Sequence, residues 1–478
     1  MTTATPTPTP DTPPPGTAEG TSAVPVIEPV ESPPTESTDH HGDEASDTAS
    51  ETTPAMQEGT TRSDGAARRR VRAVDVLRGV VLATMLLTPI TGENGSYPLL
   101  AHAEWNGFTV SDAVFPAFLV TSGASLAFLI RPRGPRPDPA AVTVAHAASR
   151  GERQRAILLR VGRGIRARSV SLSTIRRLLR RLLALVVIGL LYNALGQPWD
   201  IGTIRVTGVL QTIGVSGFIA AVVVLLLRLV TRSVIPVIGV AVALPLLYGR
   251  SLAAAARDCT RPAANCSPWF DLDVAVFGAG RVYRMGEVGF DPEGIAVMVV
   301  ASSLVLFGYV AGTAFVGRDV TWWRLLLILA GGGLLIWAGL AGDGIQPINK
   351  RLHTPAFTFL AAGIPVAALA VLGALLDLPL MRRAPRLLSR AVEAVRVVAS
   401  HPFQTLGQNA LVVYVLEHAA ITVIASTMVE EGRTLRRELL ESLPVDGDRR
   451  HLAFTAILLG GMLVVTYVMR LLRWRVAL

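Results

Sequence analysis

Residues 102–130 read HAEWNGFTVSDAVFPAFLVTSGASLAFLI, a polar connection that runs directly into an apolar stretch. Another apolar run, residues 74–90, ends shortly before this connection. The connection brings an imidazole, two carboxylates, an amide and an indole close to a segment long enough to cross a bilayer. We therefore interpret the rest of the chain as a membrane scaffold that holds residues 102–116 at one face of the bilayer.

The composition is typical of a polytopic membrane protein. Of 478 residues, 50% are hydrophobic and 17% are charged, and the mean hydropathy is +0.45; in soluble domains about a quarter of the residues are charged. Residues 1–60 hold eleven acidic residues and no Lys or Arg, whereas the remainder holds 45 basic and 25 acidic residues. The excess of basic residues therefore lies in the membrane part, where it indicates the orientation of the helices in the bilayer and contact with anionic lipid. Nucleic acid is not an expected partner.

The two ends of the chain differ in character. Residues 1–67 are rich in Thr, Pro, Glu, Ser and Gly, which predicts a disordered acidic tail in the cytoplasm. No basic start followed by an apolar core occurs there, so a signal peptide is not expected. Residues 68–478 are predicted to form one transmembrane domain.

We predict an all-α integral membrane bundle of about ten helices, each near the ~20 residues that a bilayer core requires. The arginine-rich segments, residues 131–177 and 377–404, are expected in the cytoplasm because basic loops stay inside. Both termini of this multi-pass cell-membrane protein are then cytoplasmic, and the connections holding His102 and Lys350 face outside. The predicted spans are 74–91, 110–130, 178–195, 207–227, 233–249, 294–315, 325–341, 355–376, 405–427 and 452–472.

Two sparse residue types draw attention. Cys259 and Cys266 are the two cysteines of the chain, and both fall in a predicted outer loop, residues 250–292. An oxidising compartment favours a disulfide between them, and two unrelated thiols are the alternative. Lys350 is the single lysine among 45 basic residues, which indicates a position that requires a compact ammonium.

Six short motifs lie in order at predicted span boundaries. They are RAVDVLRG (72–79), HAEWNG (102–107) followed by Asp112, RVTGVLQ (205–211), FDPEG (290–294), NKRLHTP (349–355) and GQNAL (407–411) followed by Tyr414. From about residue 70 to the C-terminus, the sequence resembles the bacterial relatives of heparan-α-glucosaminide N-acetyltransferase, within a wider group of transmembrane acyltransferases.

This resemblance implies an enzyme that transfers an acetyl or acyl group from cytoplasmic acetyl-CoA, or another acyl-CoA, to a sugar or glycan on the far side of the membrane. No metal is expected. The partners implied are the lipid bilayer, the acyl-CoA donor and the glycan acceptor, and a homo-oligomer is compatible with the sequence. The histidine matching His102 would be the central catalytic residue.

The chemistry of the connection fits that role. The imidazole of His102 could accept a proton from a hydroxyl or amine, or could itself accept the acyl group, whereas the alternative is a solvated loop histidine. Asn106 could orient the ring or donate to an oxyanion, or could be a turn residue before Gly107. Asp112 could fix the tautomer of His102, or could be a first-turn acid favoured by the helix dipole.

Other residues are expected to bind substrate or coenzyme. Arg78 could contact a phosphate of coenzyme A, or could pair with Asp75 and fix helix packing. Trp105 could be a substrate platform or an interfacial anchor. The FDPEG motif predicts a helix start with Asp291 as its N-cap. The predicted binding residues are Arg78, Trp105, Arg205, Gln211, Asn349, Lys350, Thr354, Asn409 and Tyr414.

Polar residues within predicted spans need a cavity or a network. Asn409, Tyr414, Glu417 and His418 share the ninth span, and they either form a packing network or a wall opposite His102. Arginines at 160–168 either attract anionic lipid or meet the phosphates of coenzyme A. Intramembrane charges also suit a transporter or flippase without a covalent step, and a non-catalytic membrane scaffold is a further alternative.

Overall fold

The computed structural model describes residues 71–88, 97, 100–130, 172–195, 202–255, 267–286, 289–316, 320–378, 386–430, 432–447 and 449–474. The predicted tail, the greater part of the arginine-rich loop (131–171) and the candidate disulfide of Cys259 and Cys266 lie outside these residues.

Helices dominate the described architecture, in agreement with the predicted class. Two short antiparallel strands, Met428–Glu430 (β1) and Arg433–Thr434 (β2), form a small ribbon. The helices are α1 Arg72–Leu87, α2 Val110–Leu129, α3 Leu172–Ala194, α4 Val209–Val230, α5 Ile235–Ala255, α6 Phe270–Phe277, α7 Ile295–Thr313, α8 Trp322–Gly342, α9 Pro355–Leu376, α10 Arg386–Gln408, α11 Ala410–Ser426, α12 Leu435–Glu441 and α13 Arg449–Leu471.

Within the described ranges, seven helices are long and apolar enough to cross a membrane: α2, α4, α5, α7, α8, α9 and α13. The protein is therefore a polytopic helical membrane protein, but the predicted count of ten spans is not confirmed. Helix α1 has 16 residues, fewer than the ~20 of a usual crossing. Helix α3 begins with a stretch that carries Arg176, Arg177, Arg180 and Arg181, which lowers its apolar character.

The ninth predicted span, residues 405–427, is not one straight helix. Helix α10 ends at Gln408, α11 begins at Ala410, and the two axes differ by 73°. Asn409 lies at this break with its side chain buried. At a break, the first N–H groups of α11 have no intrahelical acceptors. In lipid, other protein groups must accept their hydrogen bonds. Counted as one bent span, the pair gives an eighth crossing.

The core of the bundle lies where α2 crosses α7. Both helices are apolar along most of their length and largely buried against neighbouring helices. Small residues make the crossing close: a methyl group on Gly123 would lie 1.9 Å from the Val305 carbonyl oxygen, and one on Gly308 would lie 2.0 Å from that of Val120. Backbones that approach this closely are typical of helix pairs in membranes, where packing rather than water exclusion drives association.

Helix α1 makes a similar close contact with α10. A methyl group on Gly79 would lie 1.8 Å from the Phe403 carbonyl oxygen, and one on Gly407 would lie 1.8 Å from that of Asp75. The Arg72 side chain also forms an ion pair with Glu393 on α10. These contacts fix α10 against α1 just before the bend, so the direction of α11 is defined relative to α1.

Replacing Gly407 with alanine should therefore destabilise the bundle. The added methyl group has no space between the two backbones, and overpacking of this kind costs about 1–3 kcal/mol. The matched control is Gly331→Ala on α8, where nothing lies within 4 Å of the added group. Melting temperatures in detergent should fall for Gly407→Ala and stay near wild type for Gly331→Ala; equal melting of the two variants would contradict the contact.

Candidate functional site

The candidate site begins with the connection before α2, here called the His102 loop (residues 100–109). Its end is fixed by Thr109, whose backbone N–H and hydroxyl donate to Asp112 Oδ2 over 3.1 and 3.0 Å. Gly107 adopts φ +119°, a conformation that favours glycine. Its N–H donates to the Ile348 carbonyl oxygen over 2.8 Å, which ties the loop to a distant part of the chain.

Three side chains meet at Asp112. Its carboxylate is 1% exposed, and Oδ1 lies 2.8 Å from His102 Nδ1 and 3.2 Å from Lys350 Nζ. Lys350 Nζ is also 3.1 Å from His102 Nδ1. A carboxylate oxygen only accepts hydrogen bonds and an ammonium only donates them, so the two contacts favour opposite tautomers of His102. We assign the proton of a neutral ring to Nδ1 on the shorter contact, to Asp112; Lys350 then interacts with Asp112 Oδ1, and Nε2 carries the lone pair. The His102 side chain is 56% exposed, so this lone pair is open to substrate.

Asp112 makes the contacts expected for both interpretations considered from the sequence. It is the third residue of α2 and completes a capping box with Thr109. It also holds the His102 ring in one orientation. The predicted grouping of His102, Asp112 and Lys350 is therefore a direct contact in the structure.

Lys350 belongs to a second connection, here called the Lys350 loop (residues 343–354). Burial lowers the pKa of Lys350, and the neighbouring Asp112 carboxylate opposes that shift. The ammonium and the carboxylate together bring little net charge to the ring. They also leave a positive group beside the exposed ring, where it could stabilise a negatively charged oxygen.

Two buried residues, Asn349 and Thr354, stabilise the Lys350 loop. The Asn349 N–H donates to Thr354 Oγ1 over 3.0 Å, and the Thr354 hydroxyl donates to the Pro347 carbonyl oxygen over 2.8 Å. Thr354 is also the N-cap of α9. These two predicted site residues therefore stabilise the loop from the buried side. Asn349 Nδ2 also donates to Asn106 Oδ1 over 3.1 Å, which joins the Lys350 loop to the His102 loop.

A second ionic cluster joins the starts of α4 and α7. Arg205 donates to Asp291 Oδ1 over 2.7 Å and to Glu293 Oε2 over 2.5 Å. Thr207 donates to Asp291 Oδ2 over 2.6 Å. Burial raises the pKa of Glu293, and Arg205 opposes that shift. The nearby Lys350 ammonium also opposes the shift in the pKa of Glu293.

The prediction that Asp291 is the N-cap of this helix is wrong. Helix α7 starts at Ile295, with Gly294 as its N-cap. The Ile295 N–H is instead accepted by Asp273 Oδ1 over 2.8 Å, a residue of α6. Burial raises the pKa of Asp273 to about 6. Asp291 is recruited by Arg205 and Thr207, which lie too far away in sequence for local spacing to reveal.

An aromatic band connects the two clusters. The Arg351 guanidinium lies 5.7 Å from the Trp105 ring centroid, and the Trp105 and Phe290 rings meet edge to face at 5.4 Å. Phe290 lies 5.9 Å from Tyr283, whose ring is covered by Arg205 at 4.8 Å. Trp105 is therefore packed beside the site, in a band of rings and guanidinium groups in which Phe290 is buried and Trp105 and Tyr283 are partly exposed.

The polar residues predicted on α11 pack against α3. Tyr192 of α3 stacks on Tyr414 at 5.3 Å and on His418 at 3.5 Å between ring centroids. Glu417 is buried nearby, and Glu293 lies within electrostatic range of the Tyr414 hydroxyl. Tyr192 was not among the predicted site residues, although an aromatic residue near the polar end of an apolar run is typical of a membrane interface.

Two buried amides are distinctive. Both amide atoms of Gln211, and Asn409 Oδ1, have no hydrogen-bond partner among the described residues. A methyl group on Gly189 would lie 2.4 Å from Gln211 Oε1, so α3 packs tightly over this side chain. Unsatisfied amides at this depth are costly, which fits positions that receive water or a ligand.

Arg78 is not part of the His102 site. It donates to the Thr121 carbonyl oxygen over 3.1 Å and to Ser125 Oγ over 2.5 Å. These positions lie about 14–20 Å along α2 from Asp112, at 1.5 Å per residue. Asp75 accepts instead from Gln408 Nε2 over 3.4 Å. Arg78 thus contacts α2 and Asp75 contacts α10, both far along the bundle from His102.

Comparison with known proteins shows a distant relationship. No family model matches the chain. The chain is 30% identical to human heparan-alpha-glucosaminide N-acetyltransferase over 157 residues, which are 33% of this chain and 19% of the human protein. It is 39% identical to the mouse protein of that name over 61 residues, 13% of this chain and 9% of the mouse protein. The chain therefore covers less than a fifth of the relatives that it matches.

The Lys350 loop also provides a pH test. His353 is buried in a left-handed conformation, φ 55°, and burial with nearby Lys350 lowers its pKa to about 3. The unfolded chain protonates this ring below about pH 6.5, whereas the folded protein does not, so stability is complete above pH 6.5 and is lost as the pH falls toward 3.

At pH 5 the loss should reach about 2 kcal/mol. In His353→Asn, which has no titrating ring and tolerates the positive φ, this part of the pH dependence should disappear. Melting temperatures of the two proteins in detergent from pH 8 to pH 5 test the prediction. Parallel curves would contradict it.

Proposed function

We propose that this protein is a membrane acyltransferase that moves an acetyl or acyl group from cytoplasmic acyl-CoA to a sugar or glycan acceptor outside the cytoplasm. The observation that carries the proposal is the exposed His102 ring, held through Nδ1 by the buried Asp112 carboxylate beside Lys350. An imidazole held in this way presents Nε2 as a base or nucleophile. The distant similarity to an N-acetyltransferase supports the same reaction class.

Two routes use this geometry. In the base route, the acceptor hydroxyl or amine gives its proton to Nε2 while its oxygen or nitrogen bonds to the thioester carbonyl carbon. The resulting oxyanion then expels the thiolate of coenzyme A, which takes the proton from the imidazolium. In the covalent route, Nε2 first bonds to the acyl carbon and expels the thiolate. The acceptor then displaces His102, and its proton passes to the thiolate.

Neighbouring groups have distinct tasks in either route. Asp112 stabilises the positive ring that forms when Nε2 gains a proton or an acyl group. Lys350 and the Asn106 amide would stabilise the oxyanion. Trp105 and Tyr283, the partly exposed rings at the two ends of the aromatic band, would contact the acceptor sugar, because rings pack well against the apolar faces of pyranoses.

The donor would approach from the opposite end of α2. Arg78 and Arg181 bind hydroxyl and carbonyl groups of Thr121, Ser122 and Ser125 there. These guanidinium groups suit the phosphates of coenzyme A. Under the proposed orientation this end faces the cytoplasm, so the acyl group would cross the bundle toward His102.

A transporter or flippase is the second candidate. The 73° break at Asn409 favours it, since broken helices with polar groups at the break are frequent at transporter binding sites. A transporter would move an unmodified substrate and would have no need for acyl-CoA. Calorimetric titration with acetyl-CoA separates the candidates, because neither a transporter of this kind nor a non-catalytic scaffold would bind it.

His102→Ala should lower acetyl transfer at least ~100-fold, because it removes the base or nucleophile. The measurement is transfer of labelled acetyl from acetyl-CoA to glucosamine by the purified protein in liposomes. His451→Ala is the matched control, since His451 lies on α13, which contributes no residue to the site described above. Unchanged turnover in His102→Ala, with a normal melting temperature in both variants, would contradict the role of His102.

The two routes differ in one intermediate. The covalent route predicts an acetyl group on His102 when the protein is mixed with acetyl-CoA alone and quenched in milliseconds. Mass spectrometry of the peptide that holds His102 should show a gain of one acetyl group, which His102→Ala would lack. Wild-type transfer without this adduct would assign the base route.

A further inference from the structure

The amide side chains of Asn106 and Asn349 form a hydrogen-bonded chain with a defined direction. The Leu352 N–H donates to Asn349 Oδ1 over 2.8 Å, and Asn349 Nδ2 donates to Asn106 Oδ1 over 3.1 Å. An amide has a donor end and an acceptor end that look nearly alike, so its orientation has to be inferred from its partners.

The backbone group decides the direction. A backbone N–H can only donate, so the atom of Asn349 that faces Leu352 must be the oxygen. The amide nitrogen of Asn349 then faces Asn106, and the atom of Asn106 that meets it must be its oxygen. Both orientations therefore follow from one unambiguous donor, the Leu352 N–H.

The support for this chain is rigid. Asn349 is 2% exposed. Its backbone N–H donates to Thr354 Oγ1, and its carbonyl oxygen accepts the Thr354 N–H over 3.1 Å. The Gly107 N–H donates to the Ile348 carbonyl oxygen, so the two loops are joined at two adjacent points. Asn106 itself is exposed, four residues from His102.

We propose that Asn349 is a positioning residue that holds the Asn106 amide with its Nδ2 turned toward the reacting carbonyl, as an oxyanion donor beside His102. This inference rests on the proposed acyl transfer. No protein partner for Asn106 Nδ2 occurs among the described residues, so both of its N–H groups are available to substrate. Asn349 acts through Asn106 and does not contact substrate.

The activity test compares two substitutions of Asn349. Asn349→Asp keeps the oxygen that accepts from the Leu352 N–H but presents a second oxygen to Asn106. The Asn106 amide then rotates, and its Nδ2 donates to the carboxylate instead of to substrate. Asn349→Ala removes the contact and leaves Asn106 free to donate. The positioning role predicts that kcat falls ~10- to 100-fold in Asn349→Asp, with KM little changed, and falls less in Asn349→Ala.

A merely structural role predicts the reverse order, because the isosteric aspartate preserves more bonds than alanine. In an Asn106→Ala background, where the donor is already absent, Asn349→Asp should have no further effect on kcat. Wild-type kcat in Asn349→Asp, or a further fall in the double variant, would overturn the proposal.

A stability test does not require turnover. Asn106→Asp keeps an oxygen toward Asn349 Nδ2, so its melting temperature at pH 7.5 should match wild type, whereas Asn106→Asp combined with Asn349→Asp sets two carboxylates face to face and should melt lower. If Asn106→Asp alone melts as low as Asn349→Ala, the Asn106 N–H is the engaged end and the inferred direction is wrong. Should the wild type transfer no acetyl group, the proposed function fails while this comparison still decides the direction.

Discussion

The buried carboxylate of Asp112 organises one end of the bundle. A charge that is 1% exposed is costly unless it is paired and hydrogen-bonded. Asp112 meets this requirement by accepting from the start of α2, from the backbone of Ala103 and from His102, with Lys350 as its counter-ion. The two loops can close over α2 only in the arrangement that satisfies this group. The exposed face of His102 is a consequence of that arrangement.

The helical class and the membrane location were predictable, because apolar segments in lipid must satisfy their own backbone hydrogen bonds as helices. The number of spans was less predictable. Helix α1 is short and α3 carries several arginines, so neither has the length and apolar character of a typical span. The break at Asn409 depends on how α10 packs through Gly407 against α1. Such a close backbone contact is a tertiary property that hydropathy along the chain does not record.

The site was predictable in part. Loop charge and motif order placed His102 and Lys350 at the same end of the bundle, but their 3.1 Å contact joins positions 248 residues apart. Sequence spacing favoured Asp291 as a cap, whereas Asp273 provides that bond. In both cases the decisive partner comes from another segment of the chain. Local sequence patterns indicate which hydrogen bonds a residue can form, and the packing of remote segments determines which of these bonds it forms.

The separation of Asp112 from Lys350 has a consequence for biosynthesis. Among the described residues, six α-helices, α3 to α8, lie between Asp112 and Lys350 in the chain. At about 5–20 residues per second, the ribosome completes α2 roughly 10–50 seconds before it adds Lys350. During this interval the Asp112 carboxylate can accept hydrogen bonds from Thr109 but lacks the ammonium of Lys350. The carboxylate must therefore stay in contact with water or bind a proton. The final docking of a late loop then turns an unfinished membrane bundle into an ordered site.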